Sequence, residues 1–161
     1  MAYEKLQASA AITIYKSDNA NIPNPAAQTI TGTHTLPIYS PFTLEDNTAP
    51  FADVSVGDIV LNTSSGESAT VTVVVSTSQL TLNADIFTAA GEAYVLYTQQ
   101  LDFLKAGNGC VLYVGVSGDL NVITAAGQTV LFIGVPVGFF PVQVTNVLST
   151  STTADSIVAL W

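Results

Sequence analysis

Short runs of alternating or continuous apolar residues recur along the chain and are separated by Gly, Asn and Ser. This spacing is typical of the strands of an all-β sandwich or barrel. No stretch of helical length repeats its apolar residues with a period of about 3.6, so we expect no α-helix to shape the fold. The runs predict strands at residues 11–15, 58–62, 69–75, 79–82, 93–98, 110–116, 120–123, 129–133, 142–148 and 156–160.

Turn residues support the same fold class. The segment at 63–66, Thr-Ser-Ser-Gly, lies between two predicted strands and ends in a residue that tolerates positive φ, which indicates a hairpin. The tetrapeptide TAAG occurs at 88–91 and again at 124–127, each time before a resumed strand. We interpret this repeat as recurrent turn chemistry and not as a duplicated functional domain.

The region before residue 51 contains Pro23, Pro25, Pro37, Pro41 and Pro50, five of the seven prolines of the chain. Proline cannot donate to a strand ladder, so this region is expected to form extended arms or loops around isolated strands. Such an arm would lie either on a neighbouring subunit or on the surface of its own chain.

The strand pattern indicates two units. The strand near Ile12 is expected to join the C-terminal sheet, and the middle of the chain carries its own hairpins. We therefore predict a discontinuous β-sandwich domain at 1–39 plus 106–161, with a small β-barrel lobe and its connectors inserted at 40–105. The candidate core residues of the inserted lobe are Val54, Val56, Ile59, Val71, Val73, Leu80, Leu82, Ile86, Phe87, Tyr94 and Leu96.

Charge excludes several classes of partner. The 161 residues include 12 acids, three lysines and no arginine, which gives a net charge of −9. Binding to DNA, RNA or an anionic membrane needs clustered cations, so we predict no nucleic-acid and no membrane partner. The longest apolar run, at 130–142, contains two prolines and is shorter than the roughly 20 residues of a spanning helix.

The start of the chain places Glu4 beside Lys5 and builds no apolar leader, so secretory export is not expected. Cys110 is the only cysteine, which rules out an internal disulfide and a multi-cysteine metal site.

Candidate catalytic groups are few. His34 is the only histidine, and no nucleophile elbow surrounds any serine, so a loop or surface histidine is favoured over a catalytic one. Two acid pairs, Glu67 with Glu92 and Asp58 with Asp85, would serve glycoside hydrolysis only if each pair faced one cleft at about 5 to 9 Å. Solvated loop carboxylates are the simpler interpretation, and we predict that the protein is not an enzyme.

Ligand-binding motifs give no stronger signal. The chain has no Asp-x-Asp-x-Asn-Gly calcium loop, and the glycines at 107, 109, 115 and 118 are not followed by a predicted helix. We predict no catalytic, cofactor-binding or metal-binding residues and no cofactor.

The segment GVPVGFFPV is the most informative apolar feature. Alternate residues of a strand point to opposite faces, and this segment holds too many large side chains for one small sheet core. We predict a subunit interface here, with a sandwich packed on both faces within one chain as the alternative. The interface candidates are Phe132, Pro136, Phe139, Phe140 and Pro141.

The C-terminal region resembles that of tailed-phage virion proteins, particularly head spike base and capsid decoration proteins, including those of gene transfer agents. The resemblance is carried by LYVG at 112–115, GD at 118–119, GVP at 134–136, PVQV at 141–144 and TTA at 152–154. The early AITIYKSDNANIP is similar to the first strand and loop of that family, and the middle of the chain is similar to a small module of several phage structural proteins. Thr145 and Asn146 stand where related sequences often carry basic residues.

The resemblance implies a non-enzymatic virion structural protein, a capsid decoration (cement) protein or a head spike base. Its partners would be copies of itself, as a homotrimer or homopentamer, and the major capsid protein. It would be assembled in the host cytoplasm and end on the capsid surface of the virion. The alternative is a receptor-binding or tail-fibre adaptor protein, for which Tyr39, Tyr94 and Tyr97 are the candidate aromatic residues.

Overall fold

The computed structural model describes residues 8–25, 27–36, 38–48, 51–98 and 109–161, which form two six-stranded antiparallel sheets. Besides the strands, these residues contain one short 3-10 helix at Phe51–Asp53. The predicted all-β sandwich or barrel class is confirmed. The strands are β1 (Ala11–Thr13), β2 (Gln28–Thr33), β3 (Thr43–Glu45), β4 (Ile59–Asn62), β5 (Ser68–Ser76), β6 (Gln79–Leu82), β7 (Ala93–Thr98), β8 (Cys110–Val116), β9 (Gly118–Thr124), β10 (Thr129–Val135), β11 (Gly138–Val147) and β12 (Asp155–Leu160).

The C-terminal sheet has the order β1-β12-β8-β11-β9-β10. The strand containing Ile12 does join it, because Ile12 pairs with Ala159 of β12. β12 lies between β1 and β8, so the last strand of the chain is an internal strand. The apolar residues on the inner face of this sheet form their own core, with Leu112, Val114, Leu120, Val122 and Val144 fully buried.

β11 bends the C-terminal sheet. Its first half pairs with β8, where Phe140 lies opposite Leu112, and its second half pairs with β9, where Val147 lies opposite Val122. The register shifts between Phe140 and Val144, and irregularities of this kind increase local twist. The sheet therefore curls around its core.

The middle sheet has the order β2-β7-β4-β5-β6-β3. Its two ends approach each other where the N–H of Thr35 donates to the carbonyl of Glu45 at 2.8 Å, so the sheet rolls towards a barrel. A second core fills it. Eight of the eleven candidate core residues lie in this core, Ile59 is buried outside it, and Val56 and Val73 are exposed.

Two of the three predicted turns form hairpin connections, whereas the TAAG turn at 88–91 lies between β6 and β7, which do not pair with each other. Gly66 closes the β4–β5 hairpin with φ of 79°, and Gly127 closes the β9–β10 hairpin with φ of 81°. Both angles lie in the left-handed region that glycine adopts without steric cost.

One predicted boundary needs correction. β2 belongs to the middle sheet, since Ile30 pairs with Leu96 of β7, whereas the prediction placed residues 1–39 with the C-terminal region. Ile22 still donates a hydrogen bond to Thr145 of the C-terminal sheet, and Gln28 is the first residue paired in the middle sheet. The sequence of β2, QTITGT, has one large apolar residue, so its hydrophobic pattern did not show which sheet it would enter.

The arm before β2 lies on its own chain. The N–H of Ser17 donates to Val147 O at 2.9 Å, and the N–H of Ile22 donates to Thr145 O at 2.9 Å. From the same arm, Asn19 O accepts hydrogen bonds from Thr70 and Asn83 of the middle lobe. The sequence left two places for this arm, a neighbouring subunit or its own chain. The described residues of the arm lie on their own chain.

Candidate subunit interface

The five predicted interface residues divide into two groups. Phe140 is buried, and the partly buried Phe132 packs edge-on against it with ring centroids 4.8 Å apart. Phe140 is therefore corrected from an interface residue to a core residue, whereas Phe132 packs against that core and stays partly exposed. Phe139 is 76% exposed, and Pro136 and Pro141 are also exposed, so these three remain interface candidates.

Phe139 is held on the outer face of the sheet. It lies opposite Tyr113 of β8, and the two rings make an edge-to-face contact at 5.6 Å. Edge-to-face pairs are a favoured aromatic geometry and fix the ring orientation. With a full side-chain area of roughly 200 Å², Phe139 presents on the order of 150 Å² of apolar surface.

A groove of about 570 Å³ opens beside Phe139. Its walls come from the start of β8, the first half of β11 and the end of the chain, including Val111, Pro141, Leu160 and Trp161. These side chains are apolar, so the groove extends the hydrophobic surface of Phe139 towards the C-terminus.

Cys110 borders the same groove but is not a nucleophile. Its thiol is buried and donates a hydrogen bond to Val144 O at 3.5 Å. Burial raises the pKa of the Cys110 thiol to about 12, so the reactive thiolate is scarce near neutral pH.

Three of the five motifs that carry the family resemblance, GD, GVP and TTA, meet at one structural junction. The carboxylate of Asp119 accepts the N–H of Gly134 at 2.8 Å, which joins the GD motif to the GVP turn. The carbonyl of Asp119 accepts the N–H groups of Thr153 and Ala154, which joins it to the TTA motif. A Cβ on Gly118 would lie 2.5 Å from Ala154 N, so glycine is required for this close approach. These motifs hold the curled sheet together and supply no reactive group.

His34 lies in the loop after β2, one of the two expected places, but not on the surface. It is buried, its ring stacks on Phe87 at 5.0 Å, and its Nδ1 accepts the N–H of Glu45 at 3.2 Å. Burial lowers the pKa of His34, although the nearby carboxylates of Glu92 and Glu45 oppose the shift. The neutral ring joins the end of β2 to β3, which is a structural role.

Glu67 and Glu92 are both carboxylates of connecting segments, outside the strands. Glu92 accepts the N–H groups of Thr88 and Ala89 at 2.7 and 3.0 Å and so holds the first TAAG turn. Burial tends to raise the pKa of Glu92, but these hydrogen bonds outweigh it and lower the pKa overall. A glycosidase acid needs a raised pKa, and Glu67 is an exposed residue of the β4–β5 turn.

Asp58 and Asp85 also serve loops. Buried Asp58 accepts the N–H of Ser55 at 2.8 Å. Asp85 accepts the hydroxyl of Tyr39 and the N–H of Phe42, which organises the loop before β3. Both carboxylates therefore act as loop-organising acceptors.

A buried polar pair escaped the sequence analysis. The hydroxyl of Tyr94 donates to Asp46 Oδ2 at 2.9 Å in the middle lobe, and Asp46 is almost fully buried. Burial raises the pKa of Asp46, but hydrogen bonds from Thr48, Tyr94 and Thr33 outweigh it and lower the pKa overall. A buried tyrosine hydroxyl needs a partner, yet the sequence did not show that Asp46 would supply it.

Within the described residues, no three His, Cys, Asp or Glu side chains are grouped so that they could hold a metal ion. None of the described segments forms a helix with the length and apolarity needed to cross a membrane.

Comparison with family models, with curated proteins and with solved structures returned no match. The resemblance to phage virion proteins therefore stays a hypothesis that depends on the quoted motifs.

Proposed function

We propose that the chain is a non-enzymatic structural protein of a tailed-phage virion, a capsid decoration (cement) protein or the base of a head spike. Copies of the chain form a homotrimer or homopentamer that binds the major capsid protein on the capsid surface. The observation that carries this proposal is the exposed apolar surface of Phe139, Pro136 and Pro141, which we name the Phe139 surface.

The energetics of this surface favour assembly. Burying a side chain such as Phe139 against a sister chain stabilises the contact by about 1.5 to 3 kcal/mol. The free energy of one such contact is modest. However, the contact recurs between all copies of a ring, and the ring recurs many times on a capsid. Assembly of this kind requires no catalytic group.

Charge favours contacts between copies at the same surface. The chain carries a net charge of −9, yet residues 120–154 include no Asp, Glu, Lys, Arg or His. Like-charged copies repel each other least where they meet through uncharged segments. The Phe139 surface lies within this uncharged stretch.

The proposal is tested by replacing Phe139 with serine and measuring the molar mass in solution by light scattering. The matched control is Val56→Ser, which changes a 67% exposed apolar residue of the middle lobe. We expect Phe139→Ser to weaken or abolish the oligomer and Val56→Ser to leave it unchanged. An electron cryomicroscopy map of the intact particle should place the chain on the shell, and its absence from the mature particle would overturn the proposal.

A second candidate function is a receptor-binding or tail-fibre adaptor protein. It is favoured by the loop before β3, where Ile38, Tyr39 and Phe42 are 77%, 59% and 46% exposed. Of the other candidate tyrosines, Tyr94 is buried and Tyr97 is partly buried. For an adaptor, Tyr39→Ala should reduce virion adsorption to host cells without changing particle stability, whereas a cement protein should show no adsorption defect.

A further inference from the structure

β10 lies at the edge of the C-terminal sheet, and in the described part of the chain its only strand neighbour is β9. The N–H of Thr124 donates to Gln128 O at 2.9 Å, which fixes the hydrogen-bonding phase of this hairpin. Residues of an antiparallel pair alternate between those that exchange hydrogen bonds and those that do not. The residues of β10 that exchange hydrogen bonds with β9 are therefore Val130 and Phe132. Those whose N–H and C=O groups point to the open edge are Thr129 and Leu131. Continued alternation would give Ile133 the same orientation, just before the register with β9 shifts between Phe132 and Val135.

Up to Phe132, this edge lacks the features that natural proteins use to prevent edge pairing, and the register shift of β10 lies beyond it, between Phe132 and Val135. Natural edges are blocked by lysines, prolines, inward charges or bulges. Residues 129–133 contain no proline and no charged side chain, and their register with β9 is regular through Phe132. Leu131 and Ile133 are 44% and 73% exposed, so apolar side chains accompany the open main-chain groups.

A second copy of β10 is the occupant that fits this edge. Around a two-fold axis at Leu131, Leu131 faces its own counterpart and Thr129 faces Ile133, so all three outward residues find a partner. Each of these pairs would exchange two main-chain hydrogen bonds. An uncharged edge gives no electrostatic attraction to a basic or acidic partner, but it places no like charges opposite each other when two chains of charge −9 meet there.

We infer that the open edge of β10 pairs antiparallel with β10 of a second copy, around a two-fold axis at Leu131. This inference rests on the proposed homo-oligomer and adds a contact distinct from the Phe139 surface. In a trimeric or pentameric assembly, the two-fold contact joins neighbouring rings.

Cysteine cross-linking tests the register. Directly opposite residues of this type have Cα atoms about 5.5 Å apart, but their Cβ atoms are farther apart than in non-hydrogen-bonded pairs and lie at the limit for a disulfide. A short, cleavable thiol-reactive cross-linker should therefore join Leu131→Cys to its counterpart as a covalent dimer, and cleavage of the cross-linker should release the monomer. Thr129→Cys alone is the matched control and should not cross-link with itself, but it should cross-link when mixed with the Ile133→Cys protein.

Proline substitution tests the hydrogen bonds. Leu131→Pro removes an N–H that faces the open edge, so we expect an unchanged far-UV circular dichroism spectrum and at least about a tenfold rise in the dissociation constant of the two-fold contact. Val130→Pro removes an N–H that pairs with β9 and should destabilise the fold. Should Leu131→Pro fail to fold, Leu131→Lys keeps the N–H, places like charges opposite each other, and should weaken the contact by a similar factor.

The outcomes separate this inference from the proposed function. If Leu131→Cys does not cross-link, or if the folded Leu131→Pro and Leu131→Lys proteins associate as tightly as the wild type, β10 pairing is overturned. An assembly that is abolished by Phe139→Ser would still support the proposed function in that case. Conversely, a chain that cross-links through Leu131 but is absent from the virion would overturn the proposed function and leave the β10 pairing intact.

Discussion

Replacing Gly32 with alanine should destabilise the middle lobe. Gly32 lies on β2 directly opposite Tyr94 of β7. A Cβ at this position would lie 2.3 Å from Asp46 Oδ2 and 2.5 Å from the Tyr94 hydroxyl oxygen. Both distances are shorter than van der Waals contact, so the buried Tyr94–Asp46 pair would have to move.

The size of the effect follows from one stabilising and two destabilising terms. A glycine-to-alanine change that fits its site stabilises a protein by about 0.4 to 1 kcal/mol, because it restricts the unfolded chain. Overpacking of a core costs about 1 to 3 kcal/mol. A lost hydrogen bond to a charged group costs about 1.5 to 3 kcal/mol more. We therefore expect the free energy of unfolding to fall by about 2 to 4 kcal/mol.

Urea unfolding followed by far-UV circular dichroism measures this change, since the only tryptophan, Trp161, lies in the other lobe. Thr31→Ala, at an exposed neighbouring position, is the control and should change the free energy by less than about 0.5 kcal/mol. In a Tyr94→Phe background the cost of Gly32→Ala should shrink, because the clashing hydroxyl is gone. A Gly32→Ala protein as stable as the wild type, or strictly additive effects of the two substitutions, would refute this reasoning.

Three further predictions concern pH, thiol reactivity and the last strand. Because burial lowers the pKa of His34, the unfolded chain binds its proton more readily, so urea titrations should show stability falling as the pH drops below about 6.5. That fall should be absent from His34→Gln, and a wild type with constant stability across this range would contradict the interpretation. In the native protein, Cys110 should resist alkylation by iodoacetamide at mildly alkaline pH, and it should react once urea unfolds the chain. Mass spectrometry measures the alkylated fraction, and rapid alkylation of the native protein would contradict the burial of Cys110. Deletion of residues 156–161 removes most of an internal strand, including buried Ile157. The free energy of unfolding should fall by several kcal/mol, at about 1.5 to 3 kcal/mol for each large apolar side chain. A truncated protein with an unchanged melting temperature would count against the strand pairing.

Local residue patterns were sufficient to find most strands. β6 was predicted with its observed bounds, and β7 and β8 likewise, because continuous or alternating apolar residues are bounded there by turn residues. β2 and β3 were not specified, since QTITGT and TLE contain one large apolar residue each. These two strands are defined by their long-range partners β7 and β6.

The candidate interface was only partly predictable for a related reason. The sequence showed that GVPVGFFPV holds more large side chains than one core needs, and that neighbouring residues face opposite sides. It did not show which side would be covered. The pairing of β11 with β8 turns Phe140 into the core and leaves Phe139 outside against Tyr113. In the same way, the sequence analysis did not identify Ile133 as an exposed apolar residue. The alternation of side chains along β10 was a signal that Ile133 and Phe132 would face opposite sides.

The sequence by itself determined the features that depend on neighbouring residues: strands with a period of two, turns with glycine in the left-handed region, the all-β class and the uncharged C-terminal stretch. Tertiary structure alone decided which sheet β2 enters, which face of β11 is buried, and which polar groups meet inside, such as Tyr94 with Asp46. The physical reason is that a strand's side-chain alternation is local, whereas its hydrogen-bonding partners and the surface that covers each face come from residues distant in the chain.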